Sequence, residues 1–306
     1  MNPRPRALAL YPRAYRTAHG AEIADHFAES TASAPRSERW REEADLASHA
    51  LRLRLRLASD HSGGRMLAAA APYAVLGAAI PAVLGLAQYV LLLTRPSLPP
   101  HLPHGIPLAL RMAGDLVLAV AGLAAVGGRW RAARWLMLLG VLGLQALWAV
   151  HGIYRLEDHS RPVALAIALA LALGCPPDTP PVGRGQRGRM AAFTALVLLP
   201  PLALLLSGDL GSPYAFAGYV LPLLVLSVLL AVEGARSATP MAHATGLALS
   251  ALPWLAFHVE VVRRNGAGAL VILGGCLSML AVGSLVAWGL RQGPVNGEQD
   301  GGSRSA

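Results

Sequence analysis

MLAAAAPYAVLGAAIPAVLGLAQYVLLL, residues 66–93, runs for 28 positions without one charged side chain. A helix that crosses about 30 Å of hydrocarbon needs about 20 apolar residues, because its backbone polar groups must be satisfied within the segment itself. This stretch meets that requirement with residues to spare. Seven more apolar stretches follow it: Pro107 to Gly128, Ala133 to Tyr154, Pro162 to Cys175, Met190 to Ser207, Tyr214 to Val232, Met241 to Val259 and Ala267 to Leu290. The fourth of the eight is short, which suits a tilted span, a re-entrant hairpin or an interfacial segment. The fold class expected is all-α: a polytopic membrane bundle of about eight spans over 65–292, preceded by a short cytosolic helical hairpin over 1–64 and followed by a disordered tail over 293–306.

Composition agrees with that reading. A soluble chain carries roughly a quarter charged residues, whereas this one has 14%, with 54% hydrophobic residues and a mean hydropathy of +0.47. All 26 basic residues are arginine. They lack the interleaved aromatics of a single-strand binding face, so the +9 net charge points to lipid headgroups and not to nucleic acid. Two distant cysteines, Cys175 and Cys276, make no disulfide framework. The basic start has no continuous apolar run before Tyr11, so no cleaved signal peptide is expected.

Arginine counts orient the bundle, since positive loops stay in the cytosol. With the N-terminus inside, the inner loops hold Arg129, Arg131 and Arg134, then Arg184, Arg187 and Arg189, then Arg236, with Arg291 and Arg304 in the tail. The outer loops hold fewer: Arg95 and Arg111, Arg155 and Arg161, and Arg263 and Arg264. Removing the fourth span would place Arg184 to Arg189 outside. Eight spans with both termini cytoplasmic, in a bacterial inner membrane, is the expected topology.

The apolar interior is expected to carry no charge. Asp115 is read as an i,i+4 ion pair with Arg111 near the interface, and Glu233 and Asp209 fall at span ends. Pro81, Pro200, Pro201, Pro222 and Pro253 lie within spans and are read chiefly as packing kinks. Enzyme signatures are lacking: no phosphate loop, no H-E-x-x-H, no G-x-S-x-G. The segment Gly183 to Gly188 reads as a basic linker. No catalytic, cofactor-binding or metal-binding residue is assigned, and the chain is read as non-enzymatic. One loose constellation remains at the outer face, where the topology gathers His101, His104, His151, His159 and His258 beside Glu157, Asp158 and Glu260. Those are metal-ligand and pH-sensing residue types, although scattered interfacial histidines explain them as well.

Before the spans, Leu8, Tyr11, Tyr15 and Ile23 recur at helical spacing and predict an amphipathic helix running into Phe27. Ser30 to Pro35 breaks it. A second helix is expected from Ser37, capped by that serine with Glu38 in its first turn, continuing through Trp40, Ala44, Ala47 and Leu51. Leu51 to Leu57 alternates Leu and Arg with period two, yet a lone strand is costly. A helix extension is preferred, with Arg52, Arg54 and Arg56 touching anionic lipid just ahead of the first span.

Within this head, Leu10-Tyr-Pro-Arg-Ala-Tyr-Arg16 followed by His19-Gly-Ala-Glu22 resembles the LYPxxWRxRYGxE pattern of short cytosolic helical domains that precede membrane spans in bacterial proteins. These are the permease-prefix and HAAS-type signalling domains. Tyr15 stands where the pattern has Trp, and His19 where it has Tyr. The resemblance covers about 60 residues and implies a role in protein contact or regulation, with Tyr11, Arg13, Tyr15, Arg16 and Glu22 as candidate contact residues. A cytosolic regulator or an ATPase subunit would be the partner. A permease or permease subunit for an apolar or amphiphilic substrate is the alternative reading.

Overall fold

The computed structural model describes residues 5–59, 61–94, 106–151, 160–176, 183–208, 221–229, 232 and 240–256. Among these residues every regular element is helical. The chain divides at Arg65 into two compact units, one over Met1–Arg65 and one that takes in nearly all of the chain from Met66 onward.

In the first unit the continuous helix expected from Leu8 to Phe27 is interrupted. A 3-10 turn, Arg6–Leu10, ends at Tyr11, and α1 (Arg13–Thr31) begins after Pro12. The reason is local: a residue ahead of proline is pushed out of the helical region, and Tyr11 is extended, with φ −70° and ψ 146°. Thr31 closes α1 by donating its hydroxyl to the Phe27 carbonyl at 2.6 Å. The second helix, α2 (Arg36–Arg54), starts earlier than expected, with Pro35 at the N-cap position and no side-chain cap bond. Ser37 is therefore inside the helix.

The residues that traced α2 in the sequence lie mostly on its exposed side. Trp40 is 66% exposed and Leu51 56%, while Ala50 is fully buried and Leu46 half-buried. The inward face is fixed by the 3-10 turn, where the Arg6 amide donates to Glu43 Oε1 at 2.7 Å. Arg54 donates to the Ala9 carbonyl at 3.4 Å. The Leu51 to Leu57 segment is helical as far as Arg54, as preferred over a strand. It then stops abruptly: Leu57 N–H bonds the Arg52 carbonyl and Arg56 N–H the Leu53 carbonyl. That is the helix-ending pattern usually built around a left-handed glycine, yet Arg56 occupies the left-handed position, at φ 53°.

Among the described residues of the second unit, four helices are long and apolar enough to cross a membrane. These are α3 (Ser62–Thr94), α4 (Ile106–Val126), α5 (Trp130–His151) and α7 (Arg184–Ser207). Between them α6 (Ser160–Gly174) has only 15 residues, the short segment that the sequence singled out. Later come a helical stretch at 221–229 and α8 (Pro240–Ser250). The eighth apolar stretch, Ala267 to Leu290, lies outside the described residues, as does the tail.

The hub is α3. Over its most apolar window 56% is buried, against 28%, 33% and 28% for α4, α5 and α7. Ala70, Ala74 and Ala82 are fully buried on it, so small side chains let neighbours approach closely, as interfaces between membrane helices require. Tyr73 meets Phe193 of α7 edge to face, with ring centroids 5.5 Å apart. From α8, Gly246 packs so close that an added Cβ would strike the Met66 carbonyl oxygen. Helices α4 and α5 pair antiparallel through Gly114 against Leu144 and Gly140 against Leu118. Gly128 supplies the left-handed turn between them, at φ 78°. On the opposite faces Leu123, Trp135 and Leu139 are 72%, 72% and 62% exposed. Such large apolar residues lining several helices fit lipid as solvent.

Candidate functional site

Two places bring polar chemistry together. The first is built on the LYPRAYR segment of the head. Tyr11, 1% exposed, stacks on Tyr15 with centroids 5.5 Å apart, and its hydroxyl bonds His49 Nδ1 of α2 at 3.0 Å. Tyr15 in turn packs on His19 at 4.8 Å, and His19 Nδ1 lies 3.6 Å from Glu22 Oε2. Burial pushes the Tyr11 phenol above the ordinary tyrosine range, the neighbouring Tyr15 pushes it the same way, and Arg52 draws it partly back. This row of rings runs into a cleft of about 260 Å³ between α1 and α2. Its apolar floor is Ile23, Phe27 and Leu46, and its rim carries His26, Glu22 and Glu42.

Of the candidate contact residues, Arg13, Arg16 and Glu22 are exposed, Tyr15 half-buried, and Tyr11 interior. Tyr11 thus holds the head together, while Tyr15 and Glu22 line the cleft. The cleft could not be read from the sequence, because it needs Glu42 and Leu46 from the other helix. Of the lipid-contact candidates, Arg54 and Arg56 are exposed and Arg52 half-buried.

The second place overturns the expectation of an uncharged interior. Asp115 is fully buried near the middle of the apolar stretch Leu108–Val126. Its carboxylate Oδ1 accepts from, and pairs with, the guanidinium of Arg161 at the start of α6. Arg111, read from the sequence as the partner, lies over the Tyr89 ring at 5.4 Å. Arg111, four positions away, also acts on the Asp115 charge, and the bundle adds a partner 46 positions on. Around the pair, Gln145 of α5 donates to the Pro162 carbonyl at 3.3 Å. Gly85 of α3 leaves room for the second carboxylate oxygen, Oδ2, which would sit 3.1 Å from an added Cβ. That oxygen has no hydrogen-bond partner among the described residues.

His101, His104, His159 and His258 lie outside the described residues, and His151 ends α5. Among the described residues no group of three histidine, cysteine or acidic side chains is placed to hold a metal ion. Cys175 is buried, and Cys276 lies outside the described residues.

No protein-family model, curated protein or solved structure matches the chain.

Proposed function

We propose that this is a non-enzymatic, multi-pass membrane protein that uses its cytosolic head to bind a protein partner. The carrying observation is the cleft between α1 and α2. At about 260 Å³ it falls below the usual range for small-molecule pockets, roughly 300–1,000 Å³, and suits one or two side chains of a protein. An apolar floor with Glu22 and Glu42 on the rim complements an apolar residue next to a basic one. Arg13 and Arg16, exposed one turn earlier, extend the surface. The likeness of LYPRAYR and His19-Gly-Ala-Glu22 to permease-prefix and HAAS-type heads supports a regulatory or adaptor role. In this reading eight spans carry the head in a bacterial inner membrane, with both termini in the cytosol.

The test places a photocrosslinking amino acid at Ile23 in the full chain in living cells. One discrete cytosolic protein should be captured, and capture should be lost in a Glu22→Arg, Glu42→Arg variant that reaches the membrane in normal amount. Crosslinks to lipid alone, or capture unaffected by the charge reversal, would remove the adaptor reading.

A second reading, a permease or permease subunit, gains from the Asp115–Arg161 pair. A charge within a span is costly enough, about 2.5–3.5 kcal/mol on insertion scales, that it commonly marks a pathway. Pro81 of α3 and Pro200 and Pro201 of α7 would give those helices their bends. Replacing the pair by Asp115→Leu with Arg161→Met keeps volume and removes charge. Loss of efflux of a fluorescent amphiphile by that double variant supports a transport role, and unchanged efflux discards it.

A further inference from the structure

Among the described residues of its own unit, no element covers the exposed stripe of α2. Trp40, Ala44, Ala47, Leu51 and Leu55 follow one another at steps of three or four residues, so they share one face of the helix. Trp40, Leu51 and Leu55 are 66%, 56% and 56% exposed. Helical geometry puts Arg36 and Arg54 along one border of this face and Arg41 and Arg52 along the other. The carboxylates of Glu38 and Asp45 come further round, beyond Arg41 and Arg52, and Glu43 is engaged with the Arg6 amide. Charge is also graded along the helix: all four acids lie between 38 and 45, whereas from Leu46 to Leu57 the only charged residues are Arg52, Arg54 and Arg56. That basic end is the one joined to the membrane, for α3 starts at Ser62, eight residues after α2 stops.

We propose that α2 is an interfacial helix, seated by its Trp40, Leu51 and Leu55 face on the anionic surface of the bilayer, with its arginines reaching phosphate. Three features select lipid as the occupant. A tryptophan flanking an apolar stripe, with arginines on both borders, is the pattern of helices that lie in the headgroup region. Arginine stems cover apolar surface while their heads reach anions. The covalent link to a span keeps the face close to lipid throughout, so a stripe of only three large residues suffices where a free helix would dissociate. Cleft residues Leu46 and Glu42 lie on the far side of α2, so lipid contact leaves the cleft open. Seating of α2 on lipid is independent of what the cleft binds.

Nitroxide labels test this in the full-length protein. Cys175 and Cys276 are replaced by alanine, and single cysteines are introduced at Ala44→Cys, at Leu51→Cys and, as a control on the exposed side of α1, at Ala18→Cys. The proteins are reconstituted in phosphatidylcholine vesicles with and without phosphatidylglycerol. With the anionic lipid, labels at 44 and 51 should collide several-fold more with oxygen than with a water-soluble nickel complex, and the label at 18 should show the reverse. Without it, or with Arg52→Glu and Arg54→Glu, the preference at 44 and 51 should fall. Labels at 44 and 51 as aqueous as the one at 18 would overturn the proposal. So would dipolar broadening between labels of two copies, which would assign the stripe to self-association.

Discussion

Tyr11 joins three elements at once: it ends the 3-10 turn, stacks on α1 through Tyr15 and bonds α2 through His49. Tyr11→Phe loses the hydroxyl bond alone and should weaken the head by about 0.5–1.5 kcal/mol. Tyr11→Ala empties a buried aromatic site and should cost about 3–5 kcal/mol. Hydrogen-exchange protection of head peptides in the intact protein measures both. Because burial raises the phenol's pKa, the folded head holds this proton more tightly than the unfolded one. The contribution is therefore complete below the ordinary tyrosine range, near pH 10, and lost as pH rises through the raised value. Protection should fall at alkaline pH in the native protein, and this component of the fall should vanish in Tyr11→Phe. Asp115 makes the corresponding case within the spans. Asp115→Leu alone leaves the partly buried Arg161 without its partner and should cost about 2–4 kcal/mol, while the double Asp115→Leu, Arg161→Met variant should recover most of it. Thermal unfolding in detergent decides this, and equal losses in both variants would show that the cost does not come from an unpaired Arg161. The two residues differ in legibility. Tyr11 stood in a motif and could be singled out from the chain, though its burial could not. Asp115 could not be paired from sequence, because spacing within one helix says nothing about which distant helix it meets.

Elements were legible where the signal is periodic or steric. The apolar stretches from Met66, Pro107, Ala133 and Met190 correspond to α3, α4, α5 and α7, and the short stretch from Pro162 corresponds to α6. Pro12 breaks the first helix of the head in a way that the residue pattern allowed but the periodicity of Leu8, Tyr11 and Tyr15 concealed. The orientation of α2 was not legible. Trp40, Ala44, Ala47 and Leu51 have the spacing of a core stripe, yet the 3-10 turn claims the opposite face, and a 65-residue unit has too few elements to cover both. Helix contacts in the bundle give a paired test of glycine. At Gly246 a Cβ meets backbone that cannot rotate away, so Gly246→Ala should destabilise by about 1–3 kcal/mol. At Gly143 nothing among the described residues lies within 4 Å of an added Cβ. Gly143→Ala should therefore be neutral or gain up to about 1 kcal/mol from helix propensity. Thermal midpoints of the two purified variants in the same micelle give the comparison, and similar shifts in both would rule out the close approach of α8 to α3.

For the molecule as a whole, the proposed eight-span topology puts both ends of the chain in the cytosol. A reporter active only in the cytosol, fused after Ala306, should therefore be active, and a periplasmic reporter there should be silent; the opposite pair of results would exclude eight spans. One structural feature also bears on how the bundle is made. In the proposed topology the Asp115 carboxylate enters the membrane with α4, and Arg161 follows 46 residues later, two helices on. Until α6 arrives, the acid near the middle of α4 has only Arg111 of its own helix beside it, and a charge at that depth is unfavourable in lipid by about 2.5–3.5 kcal/mol. In that topology, stable insertion of α4 is expected to await α6. A chain truncated before Arg161 is therefore expected to hold α4 in the membrane less well, even though every residue of that helix is present, and protease protection of the truncated chain measures it.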